Sequence, residues 1–136
     1  MTHKESVSIT QSKTRAIAYW ITTVLVVSET AVGAQWDLVR NPYVTKEFID
    51  LGYPLYLLTI LGIWKIPAAI ILIIPRFPLV KEWAYAGLFF VYTGAVASHF
   101  FMKQTSAVIG PGIFACMLIA SWYLRPPSRR IGRKAS

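Results

Sequence analysis

The chain has 136 residues, of which 55% are hydrophobic and only 15% are charged, and its formal net charge is +8. Soluble domains carry about 25% charged residues, so this composition excludes an ordinary water-soluble enzyme, and the single cysteine, Cys116, excludes a disulfide scaffold. The basic residues lie in the two tails and one short loop, which is typical of membrane topology anchors and excludes a nucleic-acid-binding domain.

Four apolar segments are each long enough to cross a bilayer, which takes about 20 residues. We therefore predict an all-α bundle of four transmembrane helices. The spans are expected at 16–36, 54–74, 82–102 and 106–124. Residues 1–15 form a polar tail that we expect to be frayed or to lie on the headgroups, and residues 125–136 form a basic tail that we expect to stay in water.

The one sizeable polar connection, residues 37–53, carries the signals of a short helix. Asn41 followed by Pro42 is typical of an N-cap and a first helical residue, and Gly52 is typical of a helix end. We predict an interfacial helix over 42–51, between spans one and two, that could act as a lid.

The distribution of Lys and Arg predicts the orientation of the chain. The side that holds both termini carries ten of these residues beside the spans, whereas the opposite side carries three, Arg40, Lys46 and Lys103. Because basic residues are enriched on the cytoplasmic side, both termini are expected in the cytoplasm.

Three ionisable residues lie inside the first three spans: Glu29, Lys65 and His99. A charge at the bilayer centre costs about 2.5–3.5 kcal/mol on insertion scales, so such side chains normally face the bundle interior and have partners. Helical side chains point toward the N-terminus of their own helix, and span two runs opposite to spans one and three. The three groups therefore converge on one level, slightly outside the midplane, where we predict a Glu29–Lys65 ion pair.

Aromatic residues surround this level. Tyr85, Tyr92 and His99 recur every seven residues and so lie on one stripe of span three, and Trp64 lies next to Lys65. Apolar walls with a few polar groups are typical of a small-molecule site and suit a quinone head group or another ring-bearing lipid. The candidate ligand-binding residues are Glu29, Lys65, His99, Trp64, Tyr85 and Tyr92.

Two other interpretations of the polar residues stay open. In the first, the Glu29–Lys65 pair only fixes the packing register, and His99 bonds to a carbonyl or a water. In the second, the three groups carry protons. A metal or haem cofactor is not expected, because His99 is the only histidine inside the spans and Cys116 has no partner at ligand spacing. A quinone is the cofactor that the pattern suits.

The stretch from Leu51 to Phe101 contains Gly62-Ile63-Trp64-Lys65, Pro75-Arg76-Phe77-Pro78 and the run KEWAYAG at 81–87. In these motifs the chain resembles the DoxX-like family of small bacterial integral membrane proteins. The resemblance implies a four-helix bundle in the bacterial inner membrane with both termini in the cytoplasm. The wider family includes a membrane subunit of thiosulfate:quinone oxidoreductase and proteins of oxidative-stress systems, and more distant relatives assist the assembly of other membrane proteins.

Three functions are therefore considered. The first is an accessory membrane subunit that binds a quinone or another apolar ligand beside a redox partner. The second is a non-catalytic assembly or scaffolding protein, and the third is a small transporter or proton path, which the absence of an inverted repeat disfavours. The expected partners are the lipid bilayer, a redox or other membrane protein, and a second copy of the chain.

Overall fold

The structure is a computed structural model that describes residues 2–132. Within these residues there are only helices and turns, and four helices are long and apolar enough to cross a membrane. The long helices are α1 (His3–Leu38), α3 (Tyr56–Ile73), α4 (Pro78–Phe101) and α5 (Ile109–Leu124), and the short helix α2 (Pro42–Leu51) joins α1 to α3. The predicted all-α bundle of four membrane-spanning helices is confirmed.

Helix α1 is longer than the predicted first span. It has 36 residues and begins at His3, where the Thr2 hydroxyl accepts from the backbone N–H of Glu5 and the Glu5 carboxylate accepts from the N–H of Thr2. This capping box satisfies two free donors of the first turn. The expectation of a frayed tail is wrong, because residues 3–15 continue the helix. At about 54 Å, α1 exceeds the roughly 30 Å hydrocarbon core and extends into water.

Helix α2 lies where its sequence signals predict it. The Asn41 side chain accepts from the N–H of Tyr43 at 2.9 Å, and Pro42 occupies the first helical position. Gly52 ends the helix with φ 79°, a left-handed conformation that glycine adopts without strain.

The connection between α3 and α4 is a tight turn with Arg76 and Phe77 at positive φ, 73° and 54°. Helix α4 then begins at Pro78, four residues before the predicted start of span three. Lys81, counted as a loop residue in the sequence, is buried and donates to the carbonyls of Ile71 and Ile74. Its ammonium group thereby satisfies carbonyls that the end of α3 leaves without helical partners.

The predicted basic tail is partly folded against the bundle. Arg125 is only 4% exposed and donates to Glu82 at 2.6 Å, and Pro127–Arg129 form a 3₁₀ turn. The expectation that this tail stays in water is therefore wrong for its first residues. Residues 133–136 of the tail and Met1 of the N-terminal tail lie outside the described residues.

The four long helices pack in the order α1, α3, α4, α5, and α5 returns to α1. Their shared core is formed by apolar side chains and two tyrosines, namely Val26, Leu72, Tyr85, Leu88, Tyr92, Ala115 and Leu118. Helices α1 and α3 approach closely at Gly62, where a Cβ would lie 2.6 Å from Leu38 Cγ and 3.1 Å from the carbonyl oxygen of Ala34.

The close approach at Gly62 predicts a selective effect of alanine substitution. We expect Gly62→Ala to destabilise the bundle by about 1–3 kcal/mol, because the added methyl group overlaps Leu38 and the α1 backbone. The matched control is Gly87→Ala in α4, where a Cβ meets nothing within 4 Å, so higher helix propensity should leave stability unchanged or raised. Thermal unfolding in detergent, followed by circular dichroism, measures both, and equal melting temperatures would contradict the proposed contact.

Candidate ligand-binding cavity

A cavity of about 570 Å³ lies under α2 and is lined by residues of α1, α3, α4 and α5. Most of its wall is apolar. Aromatic rings come from α1, α2, α4, α5 and the connection between α2 and α3, namely Trp36, Tyr43, Phe48, Tyr53, Phe90, Tyr92 and Phe114. The ionisable side chains in the wall are Glu29, Asp37, Glu47, Lys65 and His99. The three ionisable residues singled out from the sequence thus line one cavity.

Lys65 is paired with Asp37, not with Glu29. Its Nζ lies 2.7 Å from Asp37 Oδ2, and both side chains are largely buried. The predicted Glu29–Lys65 ion pair is therefore wrong. The Lys65 side chain points toward the N-terminus of α3, which lies beside the C-terminal end of α1, and Asp37 is in the last turn there.

Glu29 has a different partner. The Tyr92 hydroxyl donates to Glu29 Oε2 and also lies 3.2 Å from Thr30 Oγ1, so this contact joins α1 to α4. Glu29 nevertheless remains close to Lys65: a Cβ built on Gly33 would lie 3.6 Å from Glu29 Oε1 and 3.3 Å from Lys65 Nζ. Gly33 thus leaves the space in which the two charged groups approach each other.

His99 connects the short helix α2 to the bundle. The ring is buried, with Nε2 2.9 Å from Glu47 Oε1 and Nδ1 2.9 Å from Gln104 Oε1. The hydroxyls of Tyr53 and Ser98 form a second bond between the end of α2 and α4. The partners of His99 are therefore the side chains of Glu47 and Gln104, and not the carbonyl or water considered from the sequence. The helix predicted as a lid covers the cavity.

Two of the six predicted site residues lie elsewhere. Tyr85 is buried in the core, where its hydroxyl lies 2.8 Å from Ser121 Oγ, two helical turns from Tyr92 and outside the cavity. Trp64 is 70% exposed and lines an adjoining apolar groove of about 400 Å³ between α3 and α4, which shares Leu61, Lys65 and Val91 with the cavity. Glu29, Lys65, His99 and Tyr92 line the cavity, whereas Trp64 and Tyr85 do not.

Sequence reasoning missed Asp37 and Glu47. Both fall in the polar connection after span one, where no site residue was predicted. A signal for Asp37 existed, because Glu29, Gly33 and Asp37 follow one another at four-residue steps and so lie along one side of α1. The sequence signal for Glu47 was weaker: this residue lies in the helix that was predicted to act as a lid.

The cavity combines donors and acceptors within a low-dielectric space. Three carboxylates, Glu29, Asp37 and Glu47, face one lysine and one histidine. Since buried charge is costly unless it is paired, Tyr92, Lys65 and His99 each satisfy one carboxylate. Among residues 2–132 no three His, Cys, Asp or Glu side chains are grouped as metal ligands would be. The site can hold a molecule with both accepting and donating oxygen atoms.

Comparison with known proteins gives one family. Residues 21–121 match the model of the DoxX-like family, a range that includes every wall residue of the cavity from Glu29 to Phe114. Comparison with curated proteins gives no match, and comparison with solved structures gives none.

The Lys65–Asp37 pair predicts strong coupling in a double-mutant cycle. We expect Lys65→Met and Asp37→Asn each to destabilise the protein by about 3–5 kcal/mol, because the remaining group is left buried without its partner, and the double variant to lose much less than the sum. Urea-dependent unfolding in mixed micelles measures the cycle.

The exposed Lys46–Asp50 pair on α2 is the matched control, and its cycle should give at most about 0.5 kcal/mol. A cycle between Lys65→Met and Glu29→Gln should also show weaker coupling than the Asp37 cycle. If instead Glu29 couples to Lys65 more strongly than Asp37 does, the assignment of the pair is wrong.

Proposed function

This chain belongs to the DoxX-like family, and we propose that it is a small accessory membrane subunit that binds a quinone or another ring-bearing apolar ligand in a redox-associated system. The observation that carries the proposal is the cavity itself. It brings aromatic walls and buried hydrogen-bonding groups into one space of about 570 Å³, within the roughly 300–1,000 Å³ usual for ligand pockets.

The chemistry of the wall suits both redox forms of a quinone. The two carbonyl oxygens of the oxidised ring accept hydrogen bonds, and the Lys65 ammonium group, which uses one of its three N–H donors on Asp37, is a donor. The two hydroxyls of the reduced ring donate, and the carboxylates Glu29 and Glu47 are acceptors. Flat rings of the wall offer stacking surfaces for the ligand.

The opening of the cavity between α4 and α5 supports a ligand that is dissolved in the membrane. Gly94 of α4 and Gly110 of α5 both line the cavity, are exposed, and have nothing within 4 Å of an added Cβ. Phe90, which also lines the cavity, is 70% exposed on the same lipid-facing surface. A molecule diffusing in the bilayer therefore has a lateral route between α4 and α5.

The redox association rests on the family. The wider family includes a membrane subunit of thiosulfate:quinone oxidoreductase, which favours a redox partner over independent catalysis. The same relation, together with the four apolar helices, supports a multi-pass protein of the bacterial inner membrane.

Ligand binding is tested with a decyl benzoquinone titrated into the purified protein in detergent. Ala95 of α4 lines the cavity, whereas Ala97, two residues later, is exposed to lipid and lines neither the cavity nor the groove. We expect Ala95→Phe to weaken binding at least about tenfold, equivalent to about 1.4 kcal/mol, by filling the cavity. Ala97→Phe should bind as the native protein does.

Equal affinities of the two alanine variants would contradict the assignment of the cavity. The same is true if the native protein shows no saturable binding and carries no quinone or ring-bearing lipid when its purified extract is examined by mass spectrometry. The assembly or scaffolding alternative would then explain the polar residues as internal packing contacts.

We also propose that both termini lie in the cytoplasm, with α2 on the opposite side. The helices separate the basic residues as the sequence count requires: Arg40, Lys46 and Lys103 lie at the α2 end, and the turn after α3 and the C-terminal tail lie at the other. More basic residues on the termini side support this orientation.

Cysteine labelling in intact cells tests the orientation. In a Cys116→Ala background, Asp50→Cys should react with a membrane-impermeant thiol reagent and Ser128→Cys should react only after the cells are opened. Both positions are exposed, and neither substitution changes the Lys and Arg count that sets the orientation. The reverse labelling pattern would overturn the proposed topology.

A further inference from the structure

The end of the bundle that holds both termini has a large excess of positive charge. Five of the basic side chains there bond to carbonyl groups or to Glu82, namely Arg15, Lys81, Arg125, Arg129 and Arg130. In the part of the chain that the structure describes, the only carboxylate within 4 Å of any of them is that of Glu82, which pairs with Arg125.

Three of the five cations have partners that account for their position. Arg125 bonds to Glu82 at 2.6 Å and lies 5.2 Å from the ring centroid of Tyr85. Lys81 and Arg129 donate to carbonyl groups in the last turn of α3, where the negative end of the helix dipole favours cations. These three side chains close the end of the bundle.

Arg15 and Arg130 bond to carbonyl groups at the C-terminal end of α5. Arg15 Nη2 donates to the carbonyl oxygen of Tyr123 at 2.7 Å, and Arg130 Nη2 donates to the same oxygen at 3.2 Å. Two guanidinium groups are thus held side by side, and none of the ion pairs among the described residues includes either. Arg130 Nε also donates to the carbonyl oxygen of Arg125 at 2.7 Å, and the Arg15 guanidinium lies 5.3 Å from the ring centroid of Tyr123. Among the described residues, these bonds use only one or two of the five N–H donors that each group carries.

The pair lies at the height of the lipid headgroups. Arg15 directly precedes the apolar run that begins at Ala16, and Tyr123 is in the last turn of α5. Trp20 and Trp122, both partly exposed, lie at the same ends of these helices, where amphipathic rings mark the membrane interface. A phosphate group of the adjacent leaflet is therefore within the layer that the two guanidinium groups occupy.

We propose that Arg15 and Arg130 together bind the phosphate of an anionic phospholipid. A guanidinium group can donate two parallel hydrogen bonds to two oxygens of one phosphate. Basic pockets between transmembrane helices on the cytoplasmic side bind anionic lipid headgroups. The bound phosphate removes the repulsion between the two cations and links α1 to the C-terminal tail. The site is independent of the cavity under α2 and does not require that a quinone binds there.

Reconstitution tests the site. The protein is placed in phosphatidylcholine nanodiscs with or without phosphatidylglycerol, and its melting temperature is measured. We expect phosphatidylglycerol to raise the melting temperature of the native protein and to have little effect on Arg15→Gln or Arg130→Gln. The matched control is Lys13→Gln, an exposed position on the same helix that loses the same charge, and it should keep the native increase.

A second readout does not depend on thermal stability. Native mass spectrometry of protein released from the mixed nanodiscs should show phosphatidylglycerol retained by the native protein and Lys13→Gln but lost from Arg15→Gln. Equal retention by Lys13→Gln and Arg15→Gln, or no retention by the native protein, overturns the proposal. If inorganic phosphate added to phosphatidylcholine nanodiscs reproduces the full increase, the site binds free phosphate and the lipid assignment is wrong.

Discussion

The low dielectric of the membrane requires a partner for the lysine in the middle of α3, and the arrangement of the helices follows from how that requirement is met. Lys65 bonds to Asp37 at 2.7 Å, which fixes α3 against the C-terminal end of α1 beside the close approach at Gly62. Since Lys65 is engaged there, Glu29 is left to accept from Tyr92, and this bond joins α1 to α4. The cavity is the space between these two polar contacts.

The contacts that hold α2 differ from those inside the bundle. Val44 is its one buried residue, and the bonds of Glu47 with His99 and of Tyr53 with Ser98 hold it to α4 at the edge of the apolar region. Water competes for polar groups at such an edge, so these bonds are less costly to break than a pair deep in the membrane. Helix α2 is therefore held by fewer buried contacts than the Lys65 side of the cavity wall, where both partners of the ion pair are largely buried.

Local signals predicted the elements well, and tertiary contacts decided what they missed. Asn41, Pro42 and Gly52 fix the ends of α2 through caps that act within a few residues, so the sequence predicts them directly. Ion-pair partners depend instead on where another helix ends, which is why Asp37 was missed. Trp64 was misplaced because adjacent helical residues point about 100° apart, so the neighbour of an inward lysine faces lipid.

The two ends of the bundle are closed by different contacts, which bears on how a redox partner reaches the proposed ligand. At the end with the termini, Lys81, Arg125 and Arg129 close the helices against one another through carbonyls and Glu82. At the other end the cavity has only α2 as its cover. In the proposed function, a partner that exchanges protons or electrons with the ligand reaches it at the α2 end, through the lateral opening between α4 and α5, or along the α3–α4 groove, which shares Leu61, Lys65 and Val91 with the cavity. In the proposed orientation the α2 end is the outer face of the membrane.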